Sequence, residues 1–354
     1  MKSEVFNIEN INCNKIVFVS KESLTLEFQK QLESIEFRYD RVKLIQEYNN
    51  SKTLIAKNKR ICRFCGKSSP DVSFKNEAHI IPQLLGNKKF LSDFECDTCN
   101  STFSKYENDL ANFLGPYRTF SSMEGRNGVP AFKDIKNQIR ISKENKNIDI
   151  IGNISTEQVN YNPDKKETII TCHGNSFVPL NVFKCLLKIG LSFVDNEDIP
   201  NIKETFSLLT ELNSKVNNQT KFIFQVHQYF IPGNIQNNVY VYIYRKKKFL
   251  TTYPAPSLVF IFHIRNLIIQ LYVPFHENDK FMNDVNTKKD LLIFPPLISK
   301  EWIEKFGEPF SQMYDLSSNN KIKGVEWNMA IRDREIPDEE YPQIPYFSVT
   351  LNPI

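Results

Sequence analysis

Four of the seven cysteines fall in two Cys-x-x-Cys pairs, Cys62/Cys65 and Cys96/Cys99, with thirty residues between them. Each pair forms a knuckle that offers two thiolates to one tetrahedral Zn2+. Four thiolates close the coordination shell, so such an ion is structural. It staples a module whose own apolar core is thin. A single histidine, His79, lies between the pairs in the run Ala78-His79-Ile80-Ile81-Pro82, and Asn100 follows the last cysteine. An imidazole titrates near neutrality, which suits histidine to catalysis. The blander assignment for a lone histidine is a satisfied core residue. Three features favour chemistry at His79. It is the only histidine of the module, it follows the polar residues Lys75, Asn76 and Glu77, and the downstream Gly86-Asn87 turns a hairpin back toward the second knuckle.

The elements that must position these groups are short. A strand is expected to end at Pro82. A helix starts near Cys99, with Phe103, Tyr106, Leu110 and Phe113 at steps of three and four as its buried stripe. Asn100, Ser104 and Glu107 then share a neighbouring face. That face either supplies oxygen ligands to a hard divalent cation or is a solvated face with Asn100 as the N-cap. Gly115-Pro116 ends the helix, because proline has no N–H to continue the ladder. Cys13, Cys172 and Cys185 have no such spacing and read as core residues.

Together, Cys62-x2-Cys65, the Ala78-to-Pro82 run and Cys96-Asp97-Thr98-Cys99-Asn100 resemble the HNH endonucleases, in the branch with four zinc-binding cysteines. The resemblance implies a ββα-metal fold over a small part of the chain. It implies that His79 is the general base on a water, and that Asn100 is a ligand of one catalytic Mg2+ or Mn2+. The family's middle asparagine, which braces the hairpin loop, has two candidates here, Asn87 and Asp93. One departure matters: the acidic or histidine ligand that usually precedes the base is replaced by Ala78. Adjacent strand residues face opposite ways, so Glu77 is no simple substitute: either Glu107 completes the cation site, or a local bulge brings Glu77 round, or the site is weakened. Two rivals follow. One is an inactive zinc-knuckle protein that only binds nucleic acid or regulates, and the other is a nuclease that cuts RNA. Joined to a large partner region, such modules resemble bacterial restriction or anti-phage effectors.

DNA is the expected partner. Basic residues near the motif (Lys57, Lys59, Arg60, Arg63, Lys88, Lys89 and Lys105) suit phosphate contact, which positions a duplex without reading it. Arg245-Lys246-Lys247-Lys248 reads as a charged hairpin tip and a candidate second contact. A net charge of +4 does not by itself demand a nucleic acid.

The chain has 354 residues, 41% hydrophobic and 24% charged, which are ordinary values for a globular protein. It has no apolar run of 18 residues and no basic-then-apolar start, so a cytoplasmic location is expected. There thiols stay reduced, and paired cysteines read as metal ligands rather than disulfides. The fold class expected is α+β, in three parts: an α/β lead-in over 1–55, the zinc-stapled nuclease module over 56–116, and a larger recognition or regulatory domain over 117–354. The lead-in has a strand at Lys15–Ser20 and a helical stripe of Phe28, Leu32, Ile35, Tyr39, Val42 and Ile45. The third part has short strands near 138–142, 148–152 and 168–172, helices over 181–194 and from Pro200, then β-rich runs at 222–226, 239–244, 258–262 and 267–273 spaced like an antiparallel meander. A short helix near Trp302 follows. This part is assigned sequence or modified-base recognition, binding of a small-molecule activator or protein partner, or assembly into an oligomer.

Overall fold

The computed structural model describes residues 21–46, 55–87, 89–136, 139–144, 147–152, 158–164, 167–210, 221–233, 239–250, 253–283, 291–323, 325–332 and 346–350. The Lys15–Ser20 strand expectation, Cys13 and Lys88 lie outside these residues. The architecture is mixed helix and antiparallel sheet, as the α+β expectation has it.

Helix α1 (Leu26–Arg38) is capped by Thr25, whose hydroxyl accepts from the Phe28 N–H. It buries Phe28, Leu32 and Ile35. It stops at Arg38, and Tyr39 opens strand β1 (Tyr39–Gln46). The helical stripe read through Val42 and Ile45 is therefore corrected. Those side chains fit a helical step, but pairing with a strand far along the chain satisfies the backbone of 39–46 instead.

The module with the cysteines contains strands β2 (Ala78–His79) and β3 (Leu91–Ser92), then helix α2 (Asp97–Leu114) and the short α3 (Tyr117–Phe120). Gly115, with φ +46°, terminates α2 where a Cβ would strike the Trp327 indole at 2.7 Å. Strands β4 (Phe132–Lys133), β5 (Ile139–Glu144) and β6 (Asn147–Gly152) form one small sheet. Strands β7 (Val159–Asn162) and β8 (Glu167–Gly174) belong to another, with β14 (Val325–Arg332) and β15 (Tyr346–Thr350). Trp327 of β14 is buried against Tyr117 of α3, so the core runs without a break from the cysteines into the C-terminal half.

Helix α4 (Pro179–Phe193) has proline in its first turn, where no N–H is needed, and is buried on nearly every face. Helix α5 (Lys203–Thr210) follows. The largest sheet holds β9 (Gln225–Phe230), β10 (Val239–Lys246), β11 (Leu258–Ile264), β12 (Leu267–Tyr272) and β13 (Phe310–Asp315), in the order β1-β10-β11-β12-β9-β13. The meander holds for β10 to β12, but Phe222–Phe224 form a 3-10 turn and the strand starts only at Gln225.

Strand β11 shows how the sheet is layered. Leu258, Phe260, Phe262 and Ile264 join the core shared with α4 and the cysteine module. The alternate residues Val259 and Ile261 join a second core with α1 and residues 291–298. Helix α6 (Lys300–Phe306), capped by Ser299, borders that second core through Trp302 and Ile303.

Candidate active site and zinc centre

The first knuckle is a tight turn. Gly66, at φ +70°, donates its N–H to the Cys62 carbonyl at 2.8 Å, and the Cys62 N–H donates to Lys67. The second knuckle caps the helix: Cys96 is the N-cap of α2, and its sulfur accepts from the Cys99 N–H at 3.5 Å. The N-cap expectation for Asn100 is thus corrected. Asn100 already lies in the first turn, with its own N–H bonded to the Cys96 carbonyl. An Arg63 N–H to Phe94 carbonyl bond of 2.8 Å ties the knuckles together.

The four sulfurs lie within 4.8 Å of one another, with Cys62–Cys99 at 3.7 Å and Cys65–Cys96 at 3.8 Å. A tetrahedron with zinc–sulfur bonds of about 2.3 Å has edges of about 3.8 Å, so the thiols stand where Zn2+ fits. The charges point the same way. The Cys99 thiol draws the Cys62 pKa down to about 5, while burial drives Cys96 up to about 11 and Cys62's sulfur raises Cys99. Four such groups carry their negative charge together only around a dication.

His79 is half-buried on β2, paired with Leu91 of β3. Two-residue strands hold little register by themselves, and side-chain bonds brace the hairpin. Asn87, fully buried, donates to the Ile81 carbonyl and accepts from the Lys89 and Phe90 N–H groups at 3.0 and 2.9 Å. Of the two candidates for the loop brace, it is Asn87 that bonds across the loop. Asp93 accepts from the Ile55 N–H outside it. Asp97 accepts from the Lys75 and Asn76 N–H groups, both at 2.9 Å, and fixes the approach to β2.

The imidazole Nε2 of His79 lies 2.8 Å from the Gln83 amide nitrogen, and Nδ1 is buried with no partner. Burial first, and then the Lys188 ammonium, hold its pKa below the ordinary histidine value, against the opposing charge of Glu77.

Lys188 of α4 was not singled out by motif. It is buried and forms an ion pair with buried Glu95 at 3.0 Å. It also donates to the His79 carbonyl at 2.6 Å and reaches the Ile80 carbonyl at 3.4 Å. A signal for it exists in the sequence. Lys184 and Lys188 are four apart in a helix that is otherwise apolar, so both face one side and must bury with a partner.

The donor set for a second cation is thinner. Among the described residues, no group of three His, Cys, Asp or Glu ligand atoms within 4.8 Å includes His79, Glu77 or Glu107. Ala78 is buried. Glu77 is exposed beside His79, and Glu107 lies within the field of Lys188, its pKa raised by burial. These residues do not form a ready ligand cage.

The basic residues divide in two. Lys57, Lys59, Lys89 and Lys105 are exposed. Arg60 is buried and donates to the Ile55 carbonyl, and Arg63 donates to the Leu191 and Val194 carbonyls at the end of α4. The Arg245–Lys248 tip is corrected as well. Arg245 pairs with Glu197 and Asp198, and Lys246 is buried beside Asp279. Both charges belong to the fold, at the end of β10 rather than in an open turn.

Residues 62–112 match the family model for HNH endonuclease. The chain carries an HNH-type module there, and the match supports nuclease activity on a nucleic acid. No curated protein and no solved structure matches the chain. Among the described residues, no helix is long and apolar enough to cross a membrane.

Proposed function

We propose that this protein is an endonuclease that hydrolyses DNA phosphodiester bonds, with His79 as general base. The observation that carries this reading is the His79 ring. Its Nε2 is engaged by the Gln83 amide and its Nδ1 is buried without a partner, inside the segment that matches the HNH family. The Gln83 amide N–H donates to Nε2, so the lone pair of the base lies on Nε2 and takes the proton of an attacking water once Gln83 releases it. A divalent cation, when bound, would neutralise charge on the scissile phosphate and on the leaving oxygen. Asn100, with Glu77 or Glu107, is the donor set for Mg2+ or Mn2+, and each needs substrate or water to complete the shell. Lys89 and Lys105 face solvent near the hairpin and α2 and suit contact with the phosphate backbone. Division of the chain at residues 56 and 116, and a recognition or effector role for 117–354 in restriction or antiviral defence, are part of this reading.

A second reading has an observation of its own. Ala78 is buried where the family places a ligand, and no three-donor cluster surrounds His79. Both suit a module that binds nucleic acid without cutting it. Incubation of supercoiled plasmid with the purified chain and Mg2+ or Mn2+ separates the two. Nicking that is lost by at least about a hundredfold in His79→Ala, with binding retained, supports the endonuclease. Gel retardation without nicking by the wild type supports the binding module, and degradation of RNA in place of DNA changes the substrate.

A further inference from the structure

We infer that Lys188 is a positioning residue for His79, and that α4 is thereby a working part of the nuclease site. The inference rests on the reading of His79 as the base. It starts from how little holds β2. Its backbone pairs with β3 over two residues only, yet the imidazole must be aimed within fractions of an ångström for proton transfer. The Lys188 ammonium meets the three parts of the ββα unit at once. It bonds the His79 carbonyl on β2 at 2.6 Å. It pairs at 3.0 Å with Glu95, which follows β3 and directly precedes the Cys96 ligand. It stands 5.7 Å over the ring of Phe103 on α2.

Its hydrogen bonds go to the His79 and Ile80 carbonyls, and Glu95 is its charge partner. Both charged groups are buried, Lys188 at 1% exposure and Glu95 at 2%, so neither exchanges its partner for water. The helix that delivers the lysine is itself fixed. Asp109 of α2 accepts from the Val178 N–H and the Asn181 amide at the head of α4. At its far end, Arg63 closes the Leu191 and Val194 carbonyls. A buried charge pair is a poor source of stability compared with apolar packing but specifies one arrangement of the parts it joins. Here that arrangement is the angle between the His79 strand and α2.

The test uses the full chain. Lys188→Met alone strands a buried carboxylate and is at risk of misfolding, so the double variant Lys188→Met/Glu95→Gln accompanies it. Ser299→Ala, which removes the cap of α6 at the second core, serves as a control that lowers stability without touching α4 or His79. Zinc content and thermal midpoint are measured on each. Nicking kinetics and the 15N resonances of the His79 ring are then compared. The double variant is expected to lose kcat by about a hundredfold with KM for plasmid within about twofold, and to shift the His79 resonances. Ser299→Ala keeps both at matched temperature below its midpoint.

Unchanged kcat and unchanged His79 resonances in the double variant overturn the assignment. So does a loss that Ser299→Ala reproduces in proportion to lowered stability, which makes Lys188 a mere docking contact. If the wild type fails to nick, the endonuclease reading falls, yet the resonances still decide. A shift in the double variant alone keeps Lys188 as the residue that sets the ring, and no shift removes it.

Discussion

Gly190 is where α4 meets the central sheet, and Gly190→Ala puts two effects in opposition. Alanine in place of glycine inside a helix gains about 1 kcal/mol of propensity. Against that, a Cβ at position 190 would lie 1.9, 2.3 and 2.6 Å from Cδ2, Cε2 and Cγ of Phe260. Carbon–carbon contacts settle at about 3.5–4.0 Å, so the ring must retreat by roughly 2 Å. It has no room to do so. Phe260 is fully buried on β11, a strand with neighbours on both sides, and its ring stands edge-on to Phe262 at 6.5 Å. Overpacking of this kind costs about 1–3 kcal/mol, and a displacement larger than one methylene belongs at the upper end. The net expectation is a loss of about 2 kcal/mol, read as a thermal midpoint lowered by several degrees in zinc-saturated protein. Urea unfolding followed by circular dichroism gives the free energy directly. A variant as stable as the wild type, or more stable, would show that propensity wins and that α4 does not sit tightly on β11.

Two other outcomes are expected. Stripping the metal with a chelator removes on the order of 10 kcal/mol of binding free energy from the four-thiol site, so residues 62–100 lose amide protection while β10 to β12 keep theirs. Hydrogen exchange read by mass spectrometry checks this, and equal protection with and without chelator would rule out zinc as the staple. Acid should weaken the fold through His227, buried beside Ser311, whose pKa burial presses down to about 4. The unfolded chain takes up that proton near 6.5. Stability present above that pH is therefore lost as pH falls from about 6.5 toward about 4, by about 3 kcal/mol for this group. His227→Gln should flatten the curve of stability against pH in that window, and an unaltered slope would dismiss the assignment.

The cysteine cluster was legible because it is local. Two knuckles, a histidine and the asparagine after the last cysteine fall within forty residues, and thiolate spacing encodes a tetrahedron without knowledge of the fold. Helices α2 and α4 were legible for a similar reason, since their apolar periods run uninterrupted. The failures are places where a distant segment decides. Tyr39, Val42 and Ile45 fit a helix, and only the pairing of 39–46 with β10 makes them a strand. Arg245 and Lys246 look like an exposed cationic tip until Asp198 and Asp279 arrive from other elements. Lys188 has the same character. Its partners Glu95 and His79 lie about a hundred positions earlier, so no motif window contains the set.

The hairpin that carries His79 is short of internal support, and its four braces differ in origin. The cysteine cluster fixes its two flanks, Asn87 its loop, and Asp97 its entry, all from within residues 62–100. The fourth brace, Lys188, comes from a helix seated on the six-stranded sheet through Gly190 and Phe260. It is the only one of the four that bonds the His79 peptide itself. A module recognisable by motif is thus incomplete by geometry, because the strand that carries its histidine is held from outside. Any displacement of α4 along its axis moves the Lys188 ammonium relative to both the His79 carbonyl and Glu95. A buried pair tolerates no such slip without leaving a charge unpaired. Helix α4 therefore has one seat in which the sheet, the zinc flank and the His79 strand are all satisfied, and in that seat the ring keeps Nε2 against Gln83 with Nδ1 buried.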